Sequence, residues 1–211
     1  MLNDQAELIA IANANGNSTV NPLIAERRSP YAFSSRTVEP EILASLMEAA
    51  RWAPSSMNEQ PWSFIIATKE NKSDFERLLG CLIEYNVQWA QHAPVLLLST
   101  ARLTFESTGE PNRHAFYDVG QAIANLTFQA MASGLVVHQM AGFDVEKTRK
   151  EFSIPPDHEP VAVVATGYPG SLASLSEKLR KKGSSPRKRK PLSSFVFEGG
   201  WGHSADWTRN L

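Results

Sequence analysis

Pro54-Ser55-Ser56-Met57-Asn58-Glu59-Gln60-Pro61-Trp62 joins two segments of different periodicity, and what lies on either side of it organises the rest of the chain. Before it, Pro40 stands where the first turn of a helix tolerates proline. Leu43, Leu46, Met47 and Ala50 then recur at helical spacing until Pro54 stops them. After it, Trp62 to Thr68 is a short apolar run rich in aromatic and β-branched residues, which predicts a buried strand. Two prolines fix the shape of the loop between, and its Ser, Asn and Gln side chains both donate and accept hydrogen bonds. Two readings stand side by side: a loop that meets a ligand with a mixed hydrogen-bonding edge, and a polar helix-to-strand connection.

Further along, Pro94 to Thr100 predicts a second buried strand, with helical, charged sequence before it. From His114 to Ser133 the residues Phe116, Val119, Ile123, Leu126, Ala130 and Met131 mark one helix face, and Gly134 stands as its stop. Leu135 to Gln139 and Val161 to Thr166 predict two more strands, separated by a helix that Asp144 caps and Pro155 ends. This alternation alone suggests a doubly wound parallel sheet. Ser171 to Pro191 turns to Ser, Lys and Arg and predicts a loop, and the glycine- and tryptophan-containing end predicts an extended tail. The expected organisation is a leader over 1–20, one domain over 21–197 and a tail over 198–211.

The chain of 211 residues is 42% hydrophobic and 20% charged, values that predict a folded core. Its lone Cys81 excludes an internal disulfide, and its five scattered histidines show no zinc-ligand spacing. No secretory signal is read at the start, and no apolar run approaches the roughly 18 residues of a membrane span. A cytoplasmic protein with no membrane partner is expected. Net charge is −1, yet eight of the 21 basic residues fall between Lys178 and Lys190, leaving 13 against 22 acids elsewhere. One explanation is a basic arm for nucleic acid. No aromatic residue interleaves those basics, however, and the acidic remainder would repel a phosphate backbone.

Neither G-x-G-x-x-G after a strand nor G-x-x-x-x-G-K-[ST] occurs, so a bound nucleotide would need another phosphate anchor. Arg27-Arg28-Ser29 and Arg187-Lys188-Arg189-Lys190 are candidates, because guanidinium forks grip phosphate in a bidentate way. R-R-S followed by A-P-S-S-x-N-x-Q-P-W resembles the nitroreductase family. The resemblance continues through Asn86 and Trp89 before Ala93-Pro94-Val95, then His138-Gln139-Met140-Ala141-Gly142-Phe143-Asp144, and finally Arg187-x-Arg189-x-Pro191.

The resemblance implies an α+β fold whose mixed, mainly antiparallel sheet is flanked by helices, in a homodimer with an exchanged terminal segment. It overrides the parallel sheet. It implies FMN, with hydride passing from NAD(P)H to a small acceptor such as a nitroaromatic or a quinone. Dehydrogenation, reductive dehalogenation and flavin fragmentation are alternative outcomes on the same fold. Arg27, Arg28 and Ser29 would hold the phosphate and nearby flavin edge, with Tyr31 two places on, and Arg187 and Arg189 would form a second phosphate clamp. Pro54, Ser55, Ser56, Asn58 and Gln60 match the loop that reaches the partner's flavin. Asn86 matches a place near the ribityl chain, and Gln139, Met140, Ala141 and Gly142 match the turn whose backbone N–H approaches flavin N5. No protein nucleophile or metal is required.

Two departures accompany the match. Tyr31 stands where many members carry a basic residue, and Ala141 where some carry a glutamate. His138 reads as a hydrogen-bonded core histidine rather than a proton donor, and Cys81 as a buried small hydrophobe. For Trp89, lining a substrate cavity and covering the core remain open together.

Overall fold

A computed structural model describes residues 20–208. The leader over 1–20, save its last residue, and the final three residues of the tail lie outside the described residues. The helices are α1 Pro22–Glu26, α2 Pro40–Arg51, α3 Lys72–Leu79, α4 Glu84–Ala90, α5 Ala115–Ala132, α6 Val145–Glu151 and α7 Glu177–Ser184. The strands are β1 Trp62–Thr68, β2 Val95–Arg102, β3 Val136–Met140 and β4 His158–Gly167. Contacts divide them into a larger unit, Arg27–Ser184, and a smaller one made of the chain up to Glu26 and from Ser185 onward.

In the larger unit the sheet order is β1-β2-β4-β3, and each neighbouring pair is antiparallel. The parallel sheet suggested by alternation alone does not form, and no parallel pair occurs among the described residues. The reason lies in α5. Its 18 residues span roughly 27 Å and carry the chain past a vacant position before β3 begins, so β4 can enter between β2 and β3 and run against both. Residues Val95 to Ala101 of β2 are all buried, as a central strand covered on both faces requires.

Strand alternation divides the core into two layers. Leu96 and Leu98 face one cluster with Leu78, Leu82, Trp89, Met140 and Val163. Val95 and Leu97 face the other, with Leu46, Ala50, Val119, Ile123 and Leu126 of α2 and α5. Each fully buried leucine contributes about 1.5–3 kcal/mol. Asp144 caps α6 as expected, its side chain accepting from the Lys147 N–H at 2.9 Å.

Residues 32–34 add to the sheet beyond β4: Ser34 N–H donates to Tyr168 O at 2.9 Å, and Gly170 N–H to Ala32 O at 3.2 Å. A Cβ on Gly170 would lie 2.5 to 2.7 Å from Phe33 backbone atoms, so only glycine permits this close approach. The chain from Arg27 to Tyr31 is thereby brought to one end of the sheet.

The loop expected over Ser171 to Pro191 is corrected, because its centre is helix α7. Leu179 is buried in the core, Glu177 pairs with Lys181 at 2.6 Å one turn on, and Ser176 Oγ accepts from Leu179 N–H at 3.5 Å. One apolar anchor with an i,i+4 pair sustains a helix that composition alone does not signal.

In the smaller unit, Asn21 Oδ1 caps α1 by accepting from Leu23 N–H at 2.9 Å. The tail is folded back rather than extended: Phe197 bridges to Ser204, Ala205 N–H donates to Val196 O at 3.2 Å, and the Ser204 hydroxyl donates to Ser193 O at 2.6 Å. No helix among the described residues is long and apolar enough to cross a membrane.

Candidate functional site

At the end of β3 the chain makes a turn held from its neighbour α4. Gly142 O accepts from Ile83 N–H at 3.1 Å and from Asn86 Nδ2 at 2.9 Å, while Asp144 N–H donates to Cys81 O at 2.8 Å. A Cβ on Gly142 would lie 2.7 Å from both Asn86 Nδ2 and Ile83 Cδ1. The glycine is thus required by internal packing. Among the described residues, the N–H groups of Ala141 and Gly142 donate to no acceptor, which leaves two adjacent backbone donors unspent at this turn.

The N-terminal motif meets the same region. Pro30 O faces His138 Nδ1 on β3 at 2.9 Å, and Arg27 Nη1 donates to Ser29 Oγ at 3.1 Å. Burial pushes the His138 pKa below its ordinary value. The Pro30 carbonyl opposes that shift, and the charges of Lys182 and Arg27 add to it. A neutral ring donating from Nδ1 to Pro30 O satisfies this arrangement, as the core-histidine reading expects. Tyr31 is buried, its ring 4.9 Å from His138 and 5.2 Å from Trp89. Trp89 is wholly buried among Tyr31, Phe33 and His138, so it covers the core. Its Nε1 has no partner among the described residues. Cys81 is buried as expected.

Pro30 and Tyr31, next to the Arg27 to Ser29 motif, therefore meet β3 at its middle residue His138, while Asn86, Ala141 and Gly142 stand at the C-terminal end of the same strand, where Met140 is buried. Arg28 and Gln139 are exposed, and Gln139 Nε2 donates to Thr127 Oγ1 of α5 at 3.2 Å.

Pro54, Ser55, Ser56, Asn58 and Gln60 form a second feature against another part of α5. Gln121 Nε2 donates to Pro54 O at 3.4 Å, and Ser56 N–H donates to the Asp118 carboxylate at 3.0 Å. The loop closes on itself through Gln60 N–H to Ser55 Oγ at 3.0 Å. Met57, Asn58 and Gln60 have φ of 56°, 54° and 52°, in the left-handed region that L side chains disfavour. Asp118 and Thr127 are nine residues apart on one helix, about 13 Å along its axis, and no hydrogen bond joins the loop to the cluster at β3.

In the smaller unit, Arg187 Nη2 donates to Ala25 O, and Arg189 Nη1 to Lys188 O at 2.9 Å.

Sequence reading missed Lys182, Tyr85 and Asp118. Lys178 and Lys182 belong to the basic run between Lys178 and Lys190, yet both ammonium groups lie over the Tyr85 ring, at 5.9 and 4.9 Å. Lys182 Nζ also donates to Tyr85 OH at 3.1 Å and stands 5.6 Å from the Tyr31 ring centre. Hydrogen bonding to Tyr85, then to Tyr31, raises the Lys182 pKa. Helical spacing of 178 and 182 was available as a signal once α7 was granted; nothing local signals Asp118.

The fold places the chain among α+β proteins with a polar cluster at one end of an antiparallel sheet. It matches the nitroreductase family over residues 24–168. A Streptomyces coelicolor protein named as an NADH dehydrogenase/NAD(P)H nitroreductase is 32% identical over 167 residues, 70% of this chain and 81% of its own. A solved oxidoreductase containing FMN is 32% identical with a TM-score of 0.83, over 88% of this chain and 94% of that one. A nitroreductase family protein from Clostridium difficile 630 is 25% identical with a TM-score of 0.65, over 84% and 96%. The chain belongs to the nitroreductase family and is an oxidoreductase.

Proposed function

We propose that the protein is an FMN-dependent NAD(P)H oxidoreductase, working as a homodimer and passing hydride by a ping-pong route to a small acceptor such as a nitroaromatic or a quinone. The observation that carries this is the pair of unspent N–H groups at Ala141 and Gly142, at the end of the strand whose His138 meets Pro30 just after the Arg27 to Ser29 motif. Such a donor set fits FMN, whose phosphate suits guanidinium groups and whose ring edge accepts hydrogen bonds. When bound, FMN supplies the two-electron carrier that side chains lack.

In this reading Arg27, Arg28 and Ser29 hold the phosphate and nearby ring edge beside Tyr31, with Arg187 and Arg189 as a second clamp. The N–H groups at Ala141 and Gly142 orient the ring, and Asn86 fixes their turn from behind. Gln139 and Met140 bring the chain into that turn. Pro54, Ser55, Ser56, Asn58 and Gln60 serve the partner's site. The large apolar side chains left exposed in the larger unit support dimerisation: Trp52 is 72% exposed, Met57 86% and Tyr117 68%, and they lie on or between α2 and α5.

A visible spectrum of the purified protein with gel filtration tests cofactor and assembly together, and assays with NADH and NADPH against nitroaromatic and quinone acceptors test the reaction. Flavin absorbance in a dimer with turnover is expected; absence of turnover with every pair would overturn the reductase assignment. Deleting 192–211 is expected to weaken dimerisation and flavin retention together, and a fully flavinated truncated dimer would contradict the role given to that segment.

A further inference from the structure

The 55–60 loop holds three non-glycine residues in the left-handed region within four positions, and such a conformation persists only where surrounding contacts impose it. Besides the loop's own bonds, such as Gln60 N–H to Ser55 Oγ, two anchors outside the motif that identifies the loop hold it. Asp118, 1% exposed on α5, accepts the Ser56 N–H at 3.0 Å. Glu59 turns inward, its side chain 11% exposed, and one carboxylate oxygen accepts from both Arg102 Nη2 at 2.5 Å and Glu106 N–H at 2.7 Å. Beside this junction lies a cavity of about 330 Å³ lined by Glu59, Gln60, Trp62, Arg102, Glu106 and His158. On that side no close-packed core supports the loop, so its position depends on the charged contacts.

These anchors are costly. A buried carboxylate must replace its lost hydration, and Arg102 Nε is buried with no partner among the described residues. An apolar packing would stabilise the fold as well or better. Their use is geometric: together they determine where Ser56, Asn58 and Gln60 stand at the tip.

We propose that Asp118 and the Glu59–Arg102 pair are positioning residues, which hold the 55–60 loop in the conformation that completes the FMN site while touching no FMN themselves. This rests on the FMN reading above. Groups that orient metal ligands cost about 10- to 100-fold in metal affinity when removed, and by that analogy loss of one partner here should weaken FMN binding about tenfold.

The test is the FMN dissociation constant by flavin-fluorescence quenching, measured on the full chain for wild type, Asp118→Ala, Asp118→Asn and Arg102→Met, with thermal midpoint and dimer mass alongside. If wild type binds no FMN, the cofactor reading itself fails. If it binds, Asp118→Ala should weaken binding at least tenfold while Asp118→Asn, whose amide oxygen still accepts the Ser56 N–H, stays within about threefold. Arg102→Met should weaken it about tenfold with the dimer intact. Unchanged affinity in Asp118→Ala, or equal losses in Asp118→Ala and Asp118→Asn, overturns the role of Asp118. Should Asp118→Ala fail to fold, Arg102→Met decides, and wild-type affinity there overturns the proposal.

Discussion

The turn over 140–144 and the loop over 55–60 both follow or precede a strand of the same sheet, yet they are held by different means. The turn is fixed mainly by backbone: Gly142 O, Ile83 N, Asp144 N and Cys81 O supply its contacts, with one buried amide, Asn86, added. The loop has short local bonds, Asn58 N–H to Ser55 O and Glu59 N–H to Ser56 O, but it is tied to the rest of the fold by side-chain bonds spanning 43 and 62 residues, Arg102 to Glu59 and Asp118 to Ser56. Backbone contacts survive most substitutions and leave N–H groups free to serve a ligand. Side-chain anchors can be removed singly, and the left-handed residues they restrain can then relax. The first arrangement gives a rigid donor pair, and the second a tip whose position is set from a distance.

The sharpest way to break that contrast is Gly142→Ala. The added Cβ meets Asn86 Nδ2 and Ile83 Cδ1 at 2.7 Å, so the amide must leave Gly142 O or the turn must shift. Overpacking of this kind costs about 1–3 kcal/mol. A comparable drop in urea-unfolding free energy is expected, with FMN affinity falling further than for any single loop anchor. A variant as stable as wild type would mean that the turn is not held as described.

A smaller effect separates the two regions by pH. His138 lies beside the turn, its folded pKa held below the unfolded value of about 6.5. Between those two values the unfolded chain binds more protons than the folded one, so stability rises with pH through that window and levels off above about pH 7. His138→Asn keeps a donor for Pro30 O without the titration. Its unfolding midpoint should therefore vary less than that of wild type between about pH 5 and pH 7.5. Parallel profiles would show that the histidine is not held neutral in the fold.

How much of this was legible in the sequence follows the same division. Strand β1 ends where the apolar run Trp62 to Thr68 ends, because one run carries its own boundaries, but as an edge strand it buries only Ala67 rather than being buried throughout as expected. Helix α2 starts at Pro40 and α6 at the Asp144 cap for equally local reasons. The order β1-β2-β4-β3 depends on which strand fills the gap left by α5, a choice that no local pattern records. In the candidate site, Ser55, Asn58 and Gln60 could be singled out because their polarity stands between two prolines. Asp118 could not, since a lone acid on the apolar-patterned helix α5 reads as solvated until the fold buries it. Lys182 escaped because its phenol partners come from Tyr31 and Tyr85, far away in the chain.

The smallest expected effect calibrates the loop. Outside both regions, Ser153 follows α6 with φ of 50°, again left-handed, but nothing in the proposed site depends on it. Helices commonly end on a glycine in this conformation, where the missing Cβ removes the steric penalty. Ser153→Gly should therefore stabilise the protein by roughly 0.5–1 kcal/mol and leave FMN affinity unchanged. Asn58→Gly relieves a similar angle inside the loop, so the stability gain at Ser153 is the reference for backbone strain alone. If Asn58→Gly gains as much stability but loses FMN affinity, the left-handed loop serves the ligand at the expense of the fold. If it gains stability with affinity unchanged, the Asn58 side chain is dispensable and the anchors at Asp118 and Arg102 carry the loop by themselves.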